Sequence, residues 1–598
     1  MKYKWPSILV NFCLIQLFLA FHITQAEQID WVTTFGGIKN EHISHVLVCP
    51  NNDIIVIGTF SDSLIFKSDS NNLDTLICEN KYEDVFIAKF RSHGHFLWAT
   101  SLSHGLRSFD WWLHPSVDRE GNLILGGTFI GEILIGKDSA NEIHFISPEI
   151  NSLDIFLTRI LDDGQIDWAI KLGDEDQEQL WDIATDDEGS VYLTGRFWKN
   201  SIFLPGGMND DIILTSDGSS FSIFNVKYDK NGNLYWADKI LNEYDMLGHS
   251  IAVSKSGKVS IAGYFSESII LSSELNSDTL YSKGLTDIFV ATYDTNGNYL
   301  WSISEGGSAY DMANDLEYDN QENVIVTGSF QGIMIMDSRD TLRSDNSIFE
   351  EYDDIFIAKY NSGGNYLWSD AAGGGLLDRG ERIQIFKNDK ILLSGFYWNE
   401  ATFSKGKKNS KTISNIADTS SHFAAKYTSD GILYWVADVD SLFQTFNTNL
   451  AIDSTENMIR AGEYYGDIDL QSEENSIPVS SNGGSDIYLA RFISNITSIP
   501  ENGKVMSNFI LYQNYPNPFN PRTTISYTLP TASDVRLSIY DILGQKIKTI
   551  VGKRQTAGTY EIRWDGRNEK AENVASGIYL YSLKVNEHII TKKMVLLR

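Results

Sequence analysis

Six aromatic residues, Trp111, Trp112, Trp181, Trp198, Trp398 and Tyr465, fall close to expected loops, where a ring face can meet a ligand. Such faces stack on sugar rings while neighbouring carboxylates bond the hydroxyls, so a glycan is the ligand class they suit. The competing reading is that they fill gaps between packed sheets. Other chemistry is thinly represented. There is no G-x-S-x-G, no H-E-x-x-H and no phosphate-binding loop. His93-Gly94-His95 is the closest histidine pair, but it sits in an expected tight turn with no third ligand placed. No segment follows the D-x-[DN]-x-[DN]-G order that wraps oxygens around calcium. No metal site or cofactor is therefore assigned. Ca2+ held by an Asp that recurs along the chain is the remaining alternative, and acidic clusters such as 174–176 and 350–354 are read as solvated.

These residues must be carried by something, and the carrier repeats. Trp recurs at 31, 98, 168, 236, 301, 368 and 435. The strand ahead of each begins Asp-Ile-Phe or a variant of it, as at 84, 154, 222, 287, 354, 422 and 486. Gly-x-aromatic falls at 58, 127, 195, 263, 328, 395 and 462. Three markers keeping one period seven times are a repeat architecture. The run 354–360 is apolar on both faces, so it should lie between layers, and a Gly-bearing turn leads into the strand that starts at Tyr366. Each unit reads as four antiparallel strands, and seven units make a β-propeller. The chain starts with the Trp strand at 29–35 and its repeats stop at 486–492, so those two partial blades should pair and close the ring. Tight turns then lie on one face. The Gly-Gly links and the long connections after each Gly-x-aromatic strand lie on the other, which is the candidate binding face. Apolar patches in those connections, such as 64–66, 202–204 and 269–271, mark them as packed extensions of the blades. The ring Trps should pack each outer strand on its neighbour, and the recurring Asp should bond backbone at the start of its strand.

Charge and termini describe the setting. The net charge is −31 over 598 residues, and residues 502–598 carry 14 Lys/Arg against 7 Asp/Glu, so the acid sits in the repeats. Such a body repels nucleic acid and anionic lipid and keeps a monomer soluble. Residues 1–26 read as a signal peptide, with Lys2 and Lys4 before an apolar run at 8–21 and a small-residue cleavage site at 24–26. No later run is long enough to span a membrane. Spacing leaves a Cys49–Cys78 bridge and two buried free thiols equally open. Residues 494–510 read as a linker, and 511–598 show six or seven short strands, as in a small Ig-like sandwich. The fold class is thus all-β: a seven-bladed propeller over 27–493, then the sandwich.

Two resemblances follow from these motifs. The sequence Gly328-x-Phe330, then 354–368 and Gly373-Gly374, resembles the SBBP-type bacterial β-propeller repeat, over roughly residues 29–492. Ser222 and His422 depart from its Asp, which argues against a catalytic role for that position. That resemblance implies an extracellular scaffold with no uniform activity. The C-terminal module resembles the type A sorting domain of proteins exported by the type IX secretion system of Bacteroidetes. The match includes Asn514, Pro516, Pro518, Asn520 and Pro521 of NYPNPFNP, then Gly577 and Tyr579, and Lys592-Lys593 in the last strand. It is similar as well to the Ig-like domain of flagellar hook-capping proteins. Sorting implies recognition at the outer membrane by the type IX machinery, with display on the cell surface or release. The expected function is a non-catalytic scaffold for an extracellular glycan or protein. A propeller hydrolase or lyase acting on polysaccharide is the alternative, and it would need two or three carboxylates converging at the channel.

Overall fold

The computed structural model describes residues 27–494 and 510–597 except for short internal stretches, of which 105–112, 204–211, 345–351 and 440–445 are the longest. Residues 1–26, expected to be a signal peptide, and 495–509, most of the expected linker, lie outside the described residues. The chain divides into two compact units, Met1–Ile496 and Thr497–Arg598.

The first unit consists of seven antiparallel sheets built on one plan. Blade five shows it: Asp311–Tyr318, Val324–Phe330, Asp354–Tyr360 and Tyr366–Gly373 pair in that order from the centre outward. Every residue of the second and third strands is buried, because neighbouring blades cover both faces of the sheet. At the tight turn between the first two strands, Asp319 Oδ1 accepts the N–H groups of Gln321 and Asn323 at 2.8 and 2.9 Å. Its other oxygen meets the buried Lys359 ammonium at 2.7 Å. The Lys of the third strand is thus a brace for the turn.

The recurring Trp and the recurring turn Gly explain each other. Gly364 adopts φ 80°, and a Cβ there would stand 2.7 Å from the Trp301 ring of the preceding blade. The Trp301 indole N–H donates to Ser362 O of the same turn at 3.1 Å. Trp31, Trp98, Trp168, Trp236 and Trp368 repeat this contact over Gly94, Gly164, Gly232, Gly297 and Gly431. Six blade junctions are therefore latched by one ring on one bare Cα.

The two partial blades pair with each other, as their strand count requires. Glu27–Phe35 lies against Ser476–Ser494, with Trp31 opposite Arg491 and Thr34 opposite Tyr488. On the inner side, Glu463 of blade seven accepts Ile43 N–H and faces His42 Nδ1 of blade one, at 3.0 and 3.1 Å. The second-to-third connections are hairpins. Three of them, Glu132–Ile135, Ser268–Ser272 and Glu400–Phe403, join the outer strand of the preceding blade. Those three connections extend a blade, and three others, such as Asn200–Phe203 with Ile212–Thr215, form separate two-stranded sheets.

Three expectations need correction or resolution. Asp353 and Asp354 are buried, not solvated: Asp353 pairs with Arg379 at 2.8 Å, and Asp354 lies over Gly373. The recurring Asp serves in more than one way: Asp84 takes the Ser103 hydroxyl and Asp154 the Lys171 ammonium, while Asp486 accepts Asn482 N–H and Asp287 lies against the Lys283 and Gly284 amides, as expected. Cys49 and Cys78 are buried and not bridged by a disulfide, and they lie in different packing clusters.

The second unit is a sandwich of two sheets. One holds Ile510–Leu511, Thr523–Leu529 and Gly558–Trp564; the other holds Lys546–Gln555, Ser533–Asp541, Gly577–Val585 and His588–Leu596. Ile525, Leu537, Ile539, Trp564, Tyr581 and Met594 fill the space between them.

Candidate functional site

The innermost strands of the seven blades are Glu41–Val48, Leu113–Val117, Gln177–Thr185, Met246–Val253, Asp311–Tyr318, Arg379–Ile385 and Phe446–Ile452. Six of them carry a bulge at mid-length, which places two successive side chains opposite one residue of the next strand. The residue after the bulge, with its counterpart in blade two, is His45, His114, Asp182, Ser250, Asp315, Arg382 and Asn449. One polar side chain per blade thus meets at the axis.

This tier has strong electrostatic coupling. Arg382 is exposed to the channel yet encircled by protein, and its field reaches Asp182, Asp315, Glu317 and Glu381. Burial, with Arg382 adding to it, drives His45 down to about 3 and holds it neutral. His114 is likewise driven to about 3 by burial. His45 Nδ1 and His114 Nε2 have no hydrogen-bond partner. Burial lifts Asp315 to about 6 and Glu317 to about 8. The Ser250 hydroxyl lies 2.9 Å from both Asp182 Oδ2 and Asp315 Oδ1. Its single proton serves one of them, so the second contact needs a proton on a carboxyl. These two carboxylates brace the ring as well: Asp182 accepts Ile251 N–H and Asp315 accepts Ile383 N–H, each from the next blade.

A run of aromatic and cationic groups joins this axis to the rim across blades three and four. Trp198 meets Phe221 edge to face at 5.3 Å, and the Arg196 guanidinium lies 4.3 Å from the Phe221 ring and 5.6 Å from that of Trp181. Trp181 meets His249 at 5.2 Å, and His249 meets Tyr264 at 5.6 Å. Trp198 is 38% exposed, and the other five are partly exposed. Arg196 is held flat by its Nε–H bond to Gln179 Oε1 at 2.5 Å.

Two of the six aromatics singled out by sequence, Trp181 and Trp198, are therefore brought together. Trp398 and Tyr465 are exposed at the matching position of blades six and seven, away from that run. Trp111 and Trp112 lie outside the described residues. Sequence reading missed Arg196, Phe221, His249 and Tyr264. Arg196 and Tyr264 both sit between the Gly and the aromatic of the repeat, and noting the variable residue of that motif would have found them.

In the C-terminal unit the motif residues serve the sandwich. Phe519 pairs with the last strand through its N–H to Val595 O and its carbonyl to Leu597 N–H, both 2.9 Å. Asn514 N–H donates to the Tyr581 hydroxyl at 3.0 Å, and the Tyr579 hydroxyl donates to Ala575 O. Pro518, Asn520, Pro521 and Gly577 lie at the surface or in turns, and Lys593 is more exposed than Lys592. Pro516 lies outside the described residues.

Comparison with known proteins adds to the C-terminal unit mainly. Residues 520–588 match the family model described as FlgD Ig-like domain. An uncharacterized WD repeat-containing protein, L264, of Acanthamoeba polyphaga mimivirus is 20% identical over 48% of this chain and 24% of its own length. The regulatory protein FlaEY of Caulobacter vibrioides is 32% identical over 17% of this chain and 11% of its own length. The chain thus spans a quarter or less of these curated relatives. Among solved structures, PorZ of Porphyromonas gingivalis, described as an essential surface component of the type-IX secretion system, aligns over 93% of this chain and 81% of its own. Its identity is 12% and its TM-score 0.22. A protein of unknown function from Dyadobacter fermentans aligns over 78% and 99%, with 9% identity and a TM-score of 0.30. At such scores the architecture stands on its own strand pairing.

Proposed function

We propose that this chain is an exported β-propeller that binds an extracellular glycan, or a protein bearing one, along the Trp198–Trp181–Tyr264 run and at the channel mouth. The observation that carries the reading is the continuity of that run from a rim Trp to a polar axis. Rings spaced this way offer successive stacking platforms, and the neutral imidazoles and partly protonated carboxyls offer hydroxyl partners without fixed charge. A glycan array followed by calorimetry on any ligand found tests it. Trp181→Ala and Trp198→Ala should each weaken binding about tenfold, since an aromatic stack contributes roughly 0.5–1.5 kcal/mol beyond the apolar area it buries, and that burial adds to it. Unchanged affinity in both variants would sink the reading.

A polysaccharide hydrolase or lyase is the second reading, favoured by one observation: Asp182, Asp315 and Glu317 converge at the axis with raised pKa values. The duties of Asp182 and Asp315 towards backbone N–H groups count against it. A product assay on the bound glycan with Glu317→Gln separates the two.

Export and surface display are our reading of the signal-like segment and the C-terminal motifs. The support is that the Pro-rich motif and the Lys-Lys-Met strand form one paired unit through Phe519. Deleting residues 558–598 should leave the propeller in the periplasm, as measured by fractionation of expressing cells. Normal surface display of that truncation would overturn the sorting role.

A further inference from the structure

The junction between blades four and five gathers oxygens that neither the ring nor the aromatic run uses. Asp287 opens the third strand of blade four, Asp311 opens the first strand of blade five, and both are fully buried. Gly306 passes between them, and a Cβ on it would lie 2.6 Å from Asp287 Oδ1 and 2.8 Å from Asp311 Oδ2. The two carboxylates thus crowd one small volume. Asp311 Oδ2 accepts Gly307 N–H at 2.7 Å. The backbone amides of Lys283 and Gly284 come near enough to Asp287 to offset part of its desolvation. Even so, neither Asp287 oxygen has a hydrogen-bond partner of acceptable geometry. Ser304, diagonal to Asp287 on the adjoining strand, has a buried hydroxyl without a partner as well. Other charges nearby are the exposed Lys283 and the acids Glu305 and Asp337.

Blade two shows what this geometry accommodates. Lys171 stands where Ser304 does, opposite Phe156 as Ser304 is opposite Phe289. Its ammonium lies 2.6 Å from the oxygen of Asp154, the counterpart of Asp287. Asp154 and Glu178 flank Gly173 there, as Asp287 and Asp311 flank Gly306. One repeat fills the space with its own cation. The other has no buried cation in that place, only the exposed Lys283 nearby.

We propose that Asp287, Asp311 and Ser304 bind a hard divalent cation, Ca2+ in the first instance, at the junction of blades four and five. An all-oxygen donor set with two carboxylates suits Ca2+ and gives no purchase to metals that prefer nitrogen or sulfur. Among the described residues no three His, Cys, Asp or Glu side chains meet as a metal site, so backbone carbonyls and water complete the shell. The ion does for this junction what the Lys171 ammonium does for the one before blade three.

Equilibrium dialysis of the purified full-length chain against micromolar Ca2+ at pH 8, after chelator treatment, tests the site. The parent should bind Ca2+, and Asp287→Asn/Asp311→Asn should bind one equivalent fewer per chain. The Asn pair is isosteric and removes the repulsion, so the variant should fold in chelator and lose its Ca2+-dependent rise in Tm at this site. Ser304→Ala, which keeps both carboxylates, should weaken that equivalent severalfold and serves if the double variant does not fold. No Ca2+ bound by the parent, or unaltered stoichiometry and affinity in the variants, overturns the proposal.

Discussion

Removing residues 27–35 should cost the propeller its cooperative unfolding. That strand supplies the outer edge of blade seven and is the only strand of that blade drawn from the other end of the repeats. Without it, Ser476–Ser494 becomes an exposed edge with unpaired N–H and C=O groups. Ile29 and Phe35, both buried, leave cavities on either side. Burial of two such side chains is worth about 3–6 kcal/mol, a large share of the 5–15 kcal/mol that holds a typical domain. Chemical unfolding followed by fluorescence should show a broadened transition at lower denaturant and a tendency to aggregate. A milder version is Phe35→Ala, which empties a stack of rings centred 5.1, 5.9 and 5.3 Å from Phe66, Phe86 and Phe90. Its expected cost is about 3–5 kcal/mol. A truncated chain with the parent's midpoint and slope would show that the ring does not depend on its closing strand.

The closing strand was legible because it is a matter of counting. Trp31 keeps the period of the other Trps but lacks three strands before it, and Asp486-Ile487-Tyr488 lacks the Trp strand after it. The latches were half legible. The Trp and the turn Gly both recur, but that they touch across blades is a three-dimensional fact. The junction acids were open to the same counting: Asp154 to Glu178, Asp287 to Asp311 and Asp354 to Asp378 all share one spacing. The axial tier was not legible, for a physical reason. The blades place five residue types there, His, His, Asp, Ser, Asp, Arg and Asn, because the tier answers to its neighbours around the axis and not to the blade's own core. A reading built on what repeats passes over what does not. The bulge adds a shift of one residue, which alternation cannot reveal.

Stability should fall as pH rises from 7 to 8.5, because the blade junctions hold protons that the unfolded chain gives up. Burial lifts Glu41 and Glu178 to about 8, Asp311 and Asp378 to about 7, and Asp354 to about 9. Facing acids add to the lift: Asp486 on Glu41, Asp154 on Glu178, Asp287 on Asp311 and Asp378 on Asp354. Every folded value lies above the unfolded one, so the native state binds more protons. The stabilisation is complete below the unfolded carboxylate pKa and is lost as pH climbs through the folded values. His42, raised by Glu463, acts in the same direction. His45, His114 and His249 act oppositely: their folded pKa values are depressed to about 3, 3 and 4, so they cost stability only as pH drops below the unfolded histidine value near ~6.5. Above pH 7 these three are neutral in both states and the junction acids decide the sign. Each proton released is worth about 1.4 kcal/mol per pH unit, and the acids of one pair titrate together, so a loss of about 3 kcal/mol over this range is expected. Urea unfolding in chelator at fixed ionic strength measures it. Asp354→Asn should flatten part of the slope, since one of the highest folded values goes with it. A midpoint that holds or rises between pH 7 and 8.5 would mean that these acids are ionised in the fold, and that something other than a proton balances their charge.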